Sequence, residues 1–255
     1  MLNLERAVLR YMVRRNFLIS ALFCALLFAF TACGGDDDGS GHNHSYSTEW
    51  SYNATQHWHE CSCGAKTDED DHSGDDPCTV CGRLSYNLGD TGPGGGKIFY
   101  RIETGFIMTD DNTTAHYLEA APADMETTLA WASSAFIPSS FGGTGSWTDI
   151  AGTATGIGTG RKNTALILAT DADAPAAKAC ADYSNNGKTD WFLPSRDELR
   201  QLYTNRTSVG NMGTSVYWSS SQIFNNNTWF QSFSDGVQNY LYKNLLFSVR
   251  AVRAF

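Results

Sequence analysis

The stretch that decides the fold lies near the C-terminus and reads Asp190-Trp191-Phe192-Leu193-Pro194-Ser195-Arg196-Asp197-Glu198-Leu199. Ser195 is a favoured N-cap residue, and Glu198, three positions later, completes a capping box. Leu199, Leu202 and Tyr203 then supply one apolar face. The stretch therefore predicts an amphipathic helix over residues 195–203.

Two further stretches predict strands: Tyr217-Trp218-Ser219-Ser220-Ser221, and the closing run Ser248-Val249-Arg250-Ala251-Val252-Arg253-Ala254-Phe255. Segment 222–247, which lies between them, follows neither the helix nor the strand period and mixes Asn, Ser and Asp with large apolar residues. Binding loops use Tyr, Ser and Asn in this way, because rings add rigid contact area and small polar groups adapt. The segment is therefore predicted to bind a ligand. The alternative is a pair of strands joined by a long polar hairpin.

The three motifs resemble the C-type-lectin-like domain of bacterial surface proteins, over about residues 89–255. The closer resemblance is to the variable proteins of diversity-generating retroelements, whose lectin-like C-terminus is rewritten by adenine-directed mutagenesis. The resemblance implies an α+β, C-type-lectin-like fold with a mixed antiparallel sheet and two or three helices. In that fold the last strand returns beside the first, which would bring residues 249–255 next to 98–100.

The resemblance also implies which positions vary. Asn codons mutated at their adenines never give Trp, Gln, Lys, Glu or Met, and five such residues punctuate the segment: Gln222, Trp229, Gln231, Gln238 and Lys243. The predicted ligand-binding residues all belong to the reachable set, and they are Ile223, Phe224, Asn225, Asn226, Phe230, Ser232, Ser234, Asp235, Val237, Asn239, Tyr240, Leu241, Tyr242, Asn244, Leu245, Leu246 and Phe247. The expected first contacts are Phe224, Phe230, Tyr240, Tyr242 and Phe247. The expected scaffold tryptophans are Trp191, Trp218 and Trp229.

The N-terminal residues 1–33 are predicted to be a bacterial lipoprotein signal. Four arginines precede the apolar run 17–30, and Phe30-Thr31-Ala32-Cys33 ends it. Small residues before a Cys resemble the signal in which that Cys is diacylated, so Cys33 is the predicted lipidation site. The alternative is an uncleaved anchor helix. Residues 34–41 follow as a flexible acidic tether, and the protein is expected in the cell envelope, lipid-anchored and on the outer surface.

Residues 42–84 are predicted to form a separate small module. Two Cys pairs, each followed by Gly, resemble the knuckles of a zinc ribbon, in which a turn aims both thiolates at one ion. So short a segment buries little apolar surface, and a metal or a crosslink is needed to hold it. Two alternatives stay open: a pair of disulfides, or one structural zinc held by Cys61, Cys63, Cys78 and Cys81, with His57, His59 and His72 as spare ligands.

Residues 85–255 are predicted to be the lectin-like domain. The glycine-rich run 89–96 is a turn rather than a phosphate cradle, because a strand follows it and no Lys-Ser/Thr pair stands at P-loop spacing. Strands are predicted at 97–100, 106–108 and 116–119 and around Trp218 and Trp229. Helices are predicted at 162–169, 173–183 and 195–203, which completes an α+β pattern.

Catalysis is not expected. Formylglycine-generating enzymes use the same fold but rely on a Cys pair, whereas this domain has only Cys180, which is expected to be a buried, inert thiol. Its sole histidine, His116, has no Ser or Cys partner suggested by the sequence, and the pairs Asp110/Asp111 and Asp171/Asp173 are typical of caps or solvated turns. The tripeptides Glu-Pro-Asn and Trp-Asn-Asp do not occur, so no cofactor is expected for this domain.

The charge pattern narrows the class of partner. Residues 34–84 hold 11 acidic against 2 basic residues, and residues 85–255 hold 15 against 12. Neither part has a basic stripe, so nucleic acid is not expected as a partner. The sequence predicts a surface-anchored receptor or adhesin that displays a diversified patch to a protein or glycan ligand. The alternative is a non-diversified glycan- or matrix-binding adhesin of the same fold.

Overall fold

The computed structural model describes residues 43–73, 76–125 and 127–255, and the chain divides into two compact units between His72 and Ser73. This boundary falls inside the predicted 42–84 module. The predicted signal, the lipidation site Cys33 and the tether lie outside the described residues. Within the described part of the chain, no helix is both long enough and apolar enough to cross a membrane.

The first unit is a three-stranded antiparallel sheet in the order β1-β2-β3, with β1 at Tyr46–Tyr52, β2 at Gln56–Cys61 and β3 at Lys66–Asp71. Asn53 shapes the first turn, because its Oδ1 accepts hydrogen bonds of 2.8 Å from the backbone N–H groups of Thr55 and Gln56. Among the described residues of this unit, only two are buried, His57 and Cys61. The sheet is therefore not held by an apolar core.

The second unit contains two three-stranded sheets and four helices among its described residues. One sheet has the order β4-β5-β9 and the other β6-β7-β8. The strands are β4 (Lys97–Ile107), β5 (Thr114–Ala120), β6 (Val216–Phe224), β7 (Asn227–Ser232), β8 (Gln238–Tyr242) and β9 (Val252–Ala254). The helices are α1 (Gly160–Thr170), α2 (Pro175–Ala181), α3 (Arg196–Thr204) and α4 (Arg206–Val209). The α+β class and the three predicted helices are confirmed.

The predicted capping box is confirmed at the start of α3. Ser195 is the N-cap, its side chain accepts from the Glu198 backbone N–H, and the Glu198 carboxylate accepts from the Ser195 backbone N–H at 2.7 Å. The motif that precedes this helix also pairs with the closing strand. Phe192 and Val252 exchange backbone hydrogen bonds of 2.8 and 3.0 Å, so two stretches that are distant in sequence fix each other.

The glycine-rich turn before β4 folds around a buried carboxylate of the same chain. Backbone N–H groups of Gly94 and Gly96 donate to Glu119 at 3.0 and 2.6 Å, and Arg253 donates to it at 3.0 Å. A Cβ at Gly96 would lie 2.0 Å from the carbonyl oxygen of Ala120, so a side chain cannot be accommodated there. The prediction of a turn is confirmed, and these two amides bind Glu119.

Two predictions about the strands are wrong. The residues predicted as separate strands at 97–100 and 106–108 belong largely to one strand, β4, which continues through a register shift between Arg101 and Phe106. The closing strand β9 pairs with β5, where Leu118 lies opposite Ala254, and not with the first strand β4. β5 is thus the central strand of this sheet.

One of three apolar core clusters among the described residues is built around tryptophans and includes Trp218 of β6. Trp131 and Trp218 are fully buried, and their indole N–H groups donate at 2.9 Å to the carbonyl oxygens of Ser219 and Leu129. Cys180 lies in the same cluster, and burial raises the pKa of its thiol. The prediction of a buried, inert thiol is confirmed.

Segment 222–247 is largely regular. It contains the end of β6, all of β7 and all of β8, so the alternative of paired strands describes its backbone correctly. The strand period is hidden in the sequence because all but the first residue of β8 are exposed. A strand that is not buried on one side has no packing requirement to alternate apolar and polar residues.

Candidate binding face

One face of the sheet β6-β7-β8 carries exposed aromatic rings. Tyr240 of β8 lies opposite Trp229 of β7, and their rings meet edge to face at 5.6 Å. Phe224 of β6 contacts the same tyrosine at 5.6 Å. Tyr242 lies two residues further along β8 and therefore on the same side of the strand.

The row of rings continues onto a loop outside the predicted variable segment. Tyr242 lies 5.1 Å from the ring of Phe141 and 6.3 Å from Trp147, with which it is stacked. We call these six rings the aromatic face: Phe141, Trp147, Phe224, Trp229, Tyr240 and Tyr242. Phe141 and Trp147 are not among the predicted ligand-binding residues, although two large rings flanking Gly142-Gly143-Thr144-Gly145-Ser146 are a signal visible in the sequence.

The aromatic face is open to solvent. Phe224 is 52% exposed, Tyr242 40%, Phe141 39% and Tyr240 38%. Trp229, predicted to be scaffold, is half-buried, so its ring both packs against the sheet and forms part of the aromatic face. Adjacent exposed rings of this kind are uncommon on soluble proteins and mark binding surfaces.

The predicted fixed residues make the hydrogen bonds that hold the face in place. The amide nitrogen of Gln238 donates at 2.8 Å to the carbonyl oxygen of Arg196, at the start of α3. Gln231 is buried, and its amide nitrogen donates at 2.9 Å to the carbonyl oxygen of Ser232, beside the β7–β8 turn. Both contacts are made by the side chain to backbone, so a change of side chain at either position removes them.

Lys243 and Gln222 connect β8 and β6 to the loop that carries Trp147. The Lys243 ammonium is buried and donates to the carbonyl oxygen of Thr148 at 3.1 Å and to the side-chain oxygen of Gln222. That same oxygen accepts from the backbone N–H of Ile150 at 3.1 Å. Burial lowers the pKa of Lys243 to about 8, an effect opposed by the nearby carboxylates of Asp149 and Asp171.

The predicted ligand-binding residues fall into three groups. Besides the rings, seven are exposed: Asn225, Ser234, Asp235, Val237, Asn239, Leu241 and Leu246. Three are half-buried: Ile223, Asn226 and Asn244. Four lie inward: Ser232, which is buried, and Phe230, Leu245 and Phe247, which pack against the core.

The inward group corrects two of the expected first contacts. The ring of Phe247 lies 4.2 Å from that of buried Trp218, and the ring of Phe230 lies 5.7 Å from that of Phe247. A ring that fills space next to a buried tryptophan is part of the scaffold, whatever codon it derives from. We therefore exclude Phe230 and Phe247 from the binding face.

The side chains weighed as catalytic groups have structural partners. Arg161 donates to Asp110 at 2.6 Å and to Asp111 at 2.5 Å. His116 Nδ1 lies 3.1 Å from the backbone carbonyl oxygen of Ile102, and Asp171 accepts from the backbone N–H of Ser133 at 2.7 Å. Asp110, Asp111, Asp171 and His116 therefore each take part in a contact within the fold.

Glu198, a fully buried acid, has a pKa that is strongly raised from its ordinary value. Burial raises its pKa to about 7, while hydrogen bonds from the backbone N–H groups of Ser195, Gly160 and Gly158 oppose the rise. The carboxylate is enclosed by these amides, at 2.7 to 3.3 Å. It therefore supports the start of α3 and of α1, and does not face a cleft.

Cys and His side chains in the first unit form a group able to hold a metal. A ring nitrogen of His44 and the Sγ atoms of Cys61 and Cys63 all lie within 4.8 Å of one another. Hydrogen bonds from the backbone N–H and the thiol of Cys63, and then from His44, lower the pKa of Cys61 to about 6. Cys78 and Cys81 belong to the second unit, where the Gly82 N–H donates at 2.8 Å to the Cys78 carbonyl oxygen to form a turn.

A comparison with protein-family models identifies the family of this chain. The family model described as the Lcl C-terminal domain matches residues 121–253, so the chain belongs to this family of C-type-lectin-like binding domains. No curated protein matches the chain. Among solved structures, a fimbrial protein from Bacteroides ovatus ATCC 8483 matches with 17% identity and a TM-score of 0.42. That match covers 68% of this chain and 47% of the fimbrial protein.

Proposed function

We propose that the protein is a surface-anchored receptor or adhesin whose aromatic face binds a protein or glycan ligand and is diversified by a retroelement. Membership in a family of binding domains supports the general class. A lipid on Cys33 would hold the chain to the membrane, and the first unit would separate the binding domain from it.

The observation that carries the proposal is the contrast between fixed and reachable positions in segment 222–247. Four of the five residues outside the reachable set, Gln222, Gln231, Gln238 and Lys243, hydrogen-bond through their side chains to backbone that shapes the face. Nine of the 17 reachable positions that lie between Gln222 and Lys243 are exposed. Mutagenesis at these exposed positions would therefore change the surface and keep its support.

The experiment is a glycan and protein array probed with the purified protein. We expect a bound class of ligand whose signal falls at least about tenfold in a Tyr240→Ala/Tyr242→Ala variant, because buried aromatic anchors dominate such interfaces. Ile107→Ala, which removes an exposed apolar side chain of β4, is the matched control and should bind as wild type. Equal binding by all three proteins would place the ligand site elsewhere.

One observation favours a second candidate function, a non-diversified adhesin. Phe141 and Trp147 belong to the aromatic face but lie outside segment 222–247, and a face with constant rings suits one constant ligand class. The coding DNA separates the two candidates. Diversification requires a near-copy of the last codons just downstream, with adenines at the variable positions; its absence would favour the constant adhesin.

A further inference from the structure

Three soft donor atoms converge at one end of the β1-β2-β3 sheet. His44 precedes β1, Cys61 is the last residue of β2, and Cys63 lies in the turn to β3. Because Tyr46 pairs with Cys61, the residues ahead of β1 lie beside that turn. His44 Nδ1 is 3.1 Å from Cys63 Sγ, and a nitrogen of His44 and both sulfur atoms lie within 4.8 Å of one another.

The turn itself holds the two thiols in place. The backbone N–H of Cys61 donates to the carbonyl oxygen of Ala65 at 2.8 Å. The backbone N–H of Gly64 donates to the carbonyl oxygen of Cys61, also at 2.8 Å. Gly64 has a φ of 85°, in the left-handed region that favours glycine. A Cys-Ser-Cys-Gly run therefore supplies two sulfur donors from one tight loop, although its spacing is one residue shorter than a zinc-ribbon knuckle.

We propose that His44, Cys61 and Cys63 bind one zinc ion within the first unit, with the fourth position taken by water or an external donor. Two thiolates and an imidazole are a donor set that zinc prefers over the hard cations calcium and magnesium. Both thiols lose their protons when the ion binds, so binding releases protons and weakens as the pH falls. The site differs from the predicted four-cysteine site because it needs neither Cys78 nor Cys81.

The ion would supply the stability that the sheet lacks. His57 and Cys61 are the only buried residues among those described in this unit, and so small a sheet needs a staple. Coordination would join the residues ahead of β1 to the β2–β3 turn. The ring contacts elsewhere, such as Trp50 stacked on His59 at 3.9 Å, would then hold the opposite strands in register.

The test uses the full chain, reduced and loaded with zinc or cobalt. We expect Cys63→Ser and His44→Ala each to lose one zinc equivalent by elemental analysis, and Cys63→Ser to lose intensity in the thiolate-to-cobalt absorption band. Cys63→His restores a donor and should keep the ion even if the serine variant folds poorly. Ser62→Ala changes an exposed residue between the two thiols and removes no predicted donor, so it is the matched control and should keep full metal content.

Two results would overturn the site. In the first, Cys63→Ser and His44→Ala retain the metal content of wild type. In the second, wild type binds a single ion that both Cys63→Ser and Cys81→Ser abolish, which is the behaviour of one site shared by four cysteines. Retention in Cys81→Ser of the ion that Cys63→Ser removes supports the three-donor site.

Discussion

Lys243 illustrates how one buried side chain supports an exposed surface. Its ammonium lies under the loop that carries Trp147, contacts the face of Trp131 at 4.6 Å and is 2% exposed. The backbone carbonyl oxygen of Lys243 also accepts a hydrogen bond of 2.9 Å from the backbone N–H of Trp131. A cation in this position is costly to bury, and its hydrogen bonds to Thr148 and Gln222 offset part of that cost while they hold the loop.

The lowered pKa of Lys243 gives a pH-dependent prediction. Above the ordinary value of 10.5 the amine is neutral in both folded and unfolded chains. As the pH falls toward about 8, the unfolded chain takes up a proton that the folded chain does not, so folding stability is lost in that window. The comparison is with Lys243→Met, which has no titrating group at this position. The free energy of unfolding of wild type minus that of the variant should fall by on the order of 3 kcal/mol between pH 10.5 and 8. A pH-independent difference would contradict the shift.

Two aromatic substitutions should separate scaffold from surface. Trp218→Ala should lower the free energy of unfolding by about 3–5 kcal/mol, because it leaves a cavity in the core beside Phe247. Tyr240→Ala should cost less than about 1 kcal/mol, because its ring is in solvent on one side. Denaturant unfolding measures both. Equal losses would mean that Tyr240 is a core residue.

At the scale of elements, β8 is the strand that would tolerate the proposed variation of the surface. It is an edge strand, and Asn239, Tyr240, Leu241 and Tyr242 are all exposed. Its ends are held by Gln238 and Lys243 through contacts outside the strand. Because the strand contributes backbone pairing to β7 and little packing, its side chains can change without opening the core.

A combined replacement tests this view of β8. Asn239→Ser, Tyr240→His, Leu241→Val and Tyr242→Phe together stay within the reachable set, and we expect the thermal transition to move by only a few degrees, equivalent to about 1 kcal/mol. The result that would reject the idea is a transition lowered as far as in Trp218→Ala.

The matched control is Gly236→Val, which is also reachable by codon. Gly236 has a φ of 79°, and a Cβ there would lie 2.6 Å from the hydroxyl oxygen of Tyr203. A branched side chain should therefore destabilise the domain by more than 1 kcal/mol, in contrast to the four changes in β8. Reachability and tolerance are different properties, and circular dichroism during heating distinguishes them.

At the scale of the whole molecule, the chain joins a small Cys/His unit, whose described residues include only two buried ones, to a large lectin-like unit with an apolar core. Each unit has its own means of stabilisation, a proposed ion in the first and buried tryptophans in the second. The proposed lipid on Cys33 would attach this pair to a membrane through residues 34–41, which are predicted from their Gly, Ser and Asp composition to be a flexible acidic tether.

Acylation of Cys33 can be measured directly. Cys33→Ser should abolish incorporation of labelled fatty acid and leave a soluble or uncleaved precursor, because the lipid is attached to that sulfur. Cys24→Ser, in the same apolar segment, is the matched control and should label as wild type. Undiminished labelling of Cys33→Ser would reject the lipoprotein assignment.

Local interactions explain what the sequence determined by itself. The capping box at Ser195, the three predicted helices and the glycine-rich turn depend on residues a few positions apart, and all are present in the structure. The codon argument likewise acts on single positions, and its assignment of fixed residues in segment 222–247 stays a prediction. The motifs were enough to predict the lectin-like class that the family match confirms.

The tertiary structure alone decided how distant segments meet. The pairing of β9 with β5, the packing of Phe247 against Trp218, and the approach of Phe141 to Tyr242 each join residues far apart in sequence or in different elements. The residues next to a Phe in the sequence do not show whether its ring is exposed or packed against the core. That distinction depends on what the rest of the chain packs against it, because burial is a property of the assembled core and not of the residue.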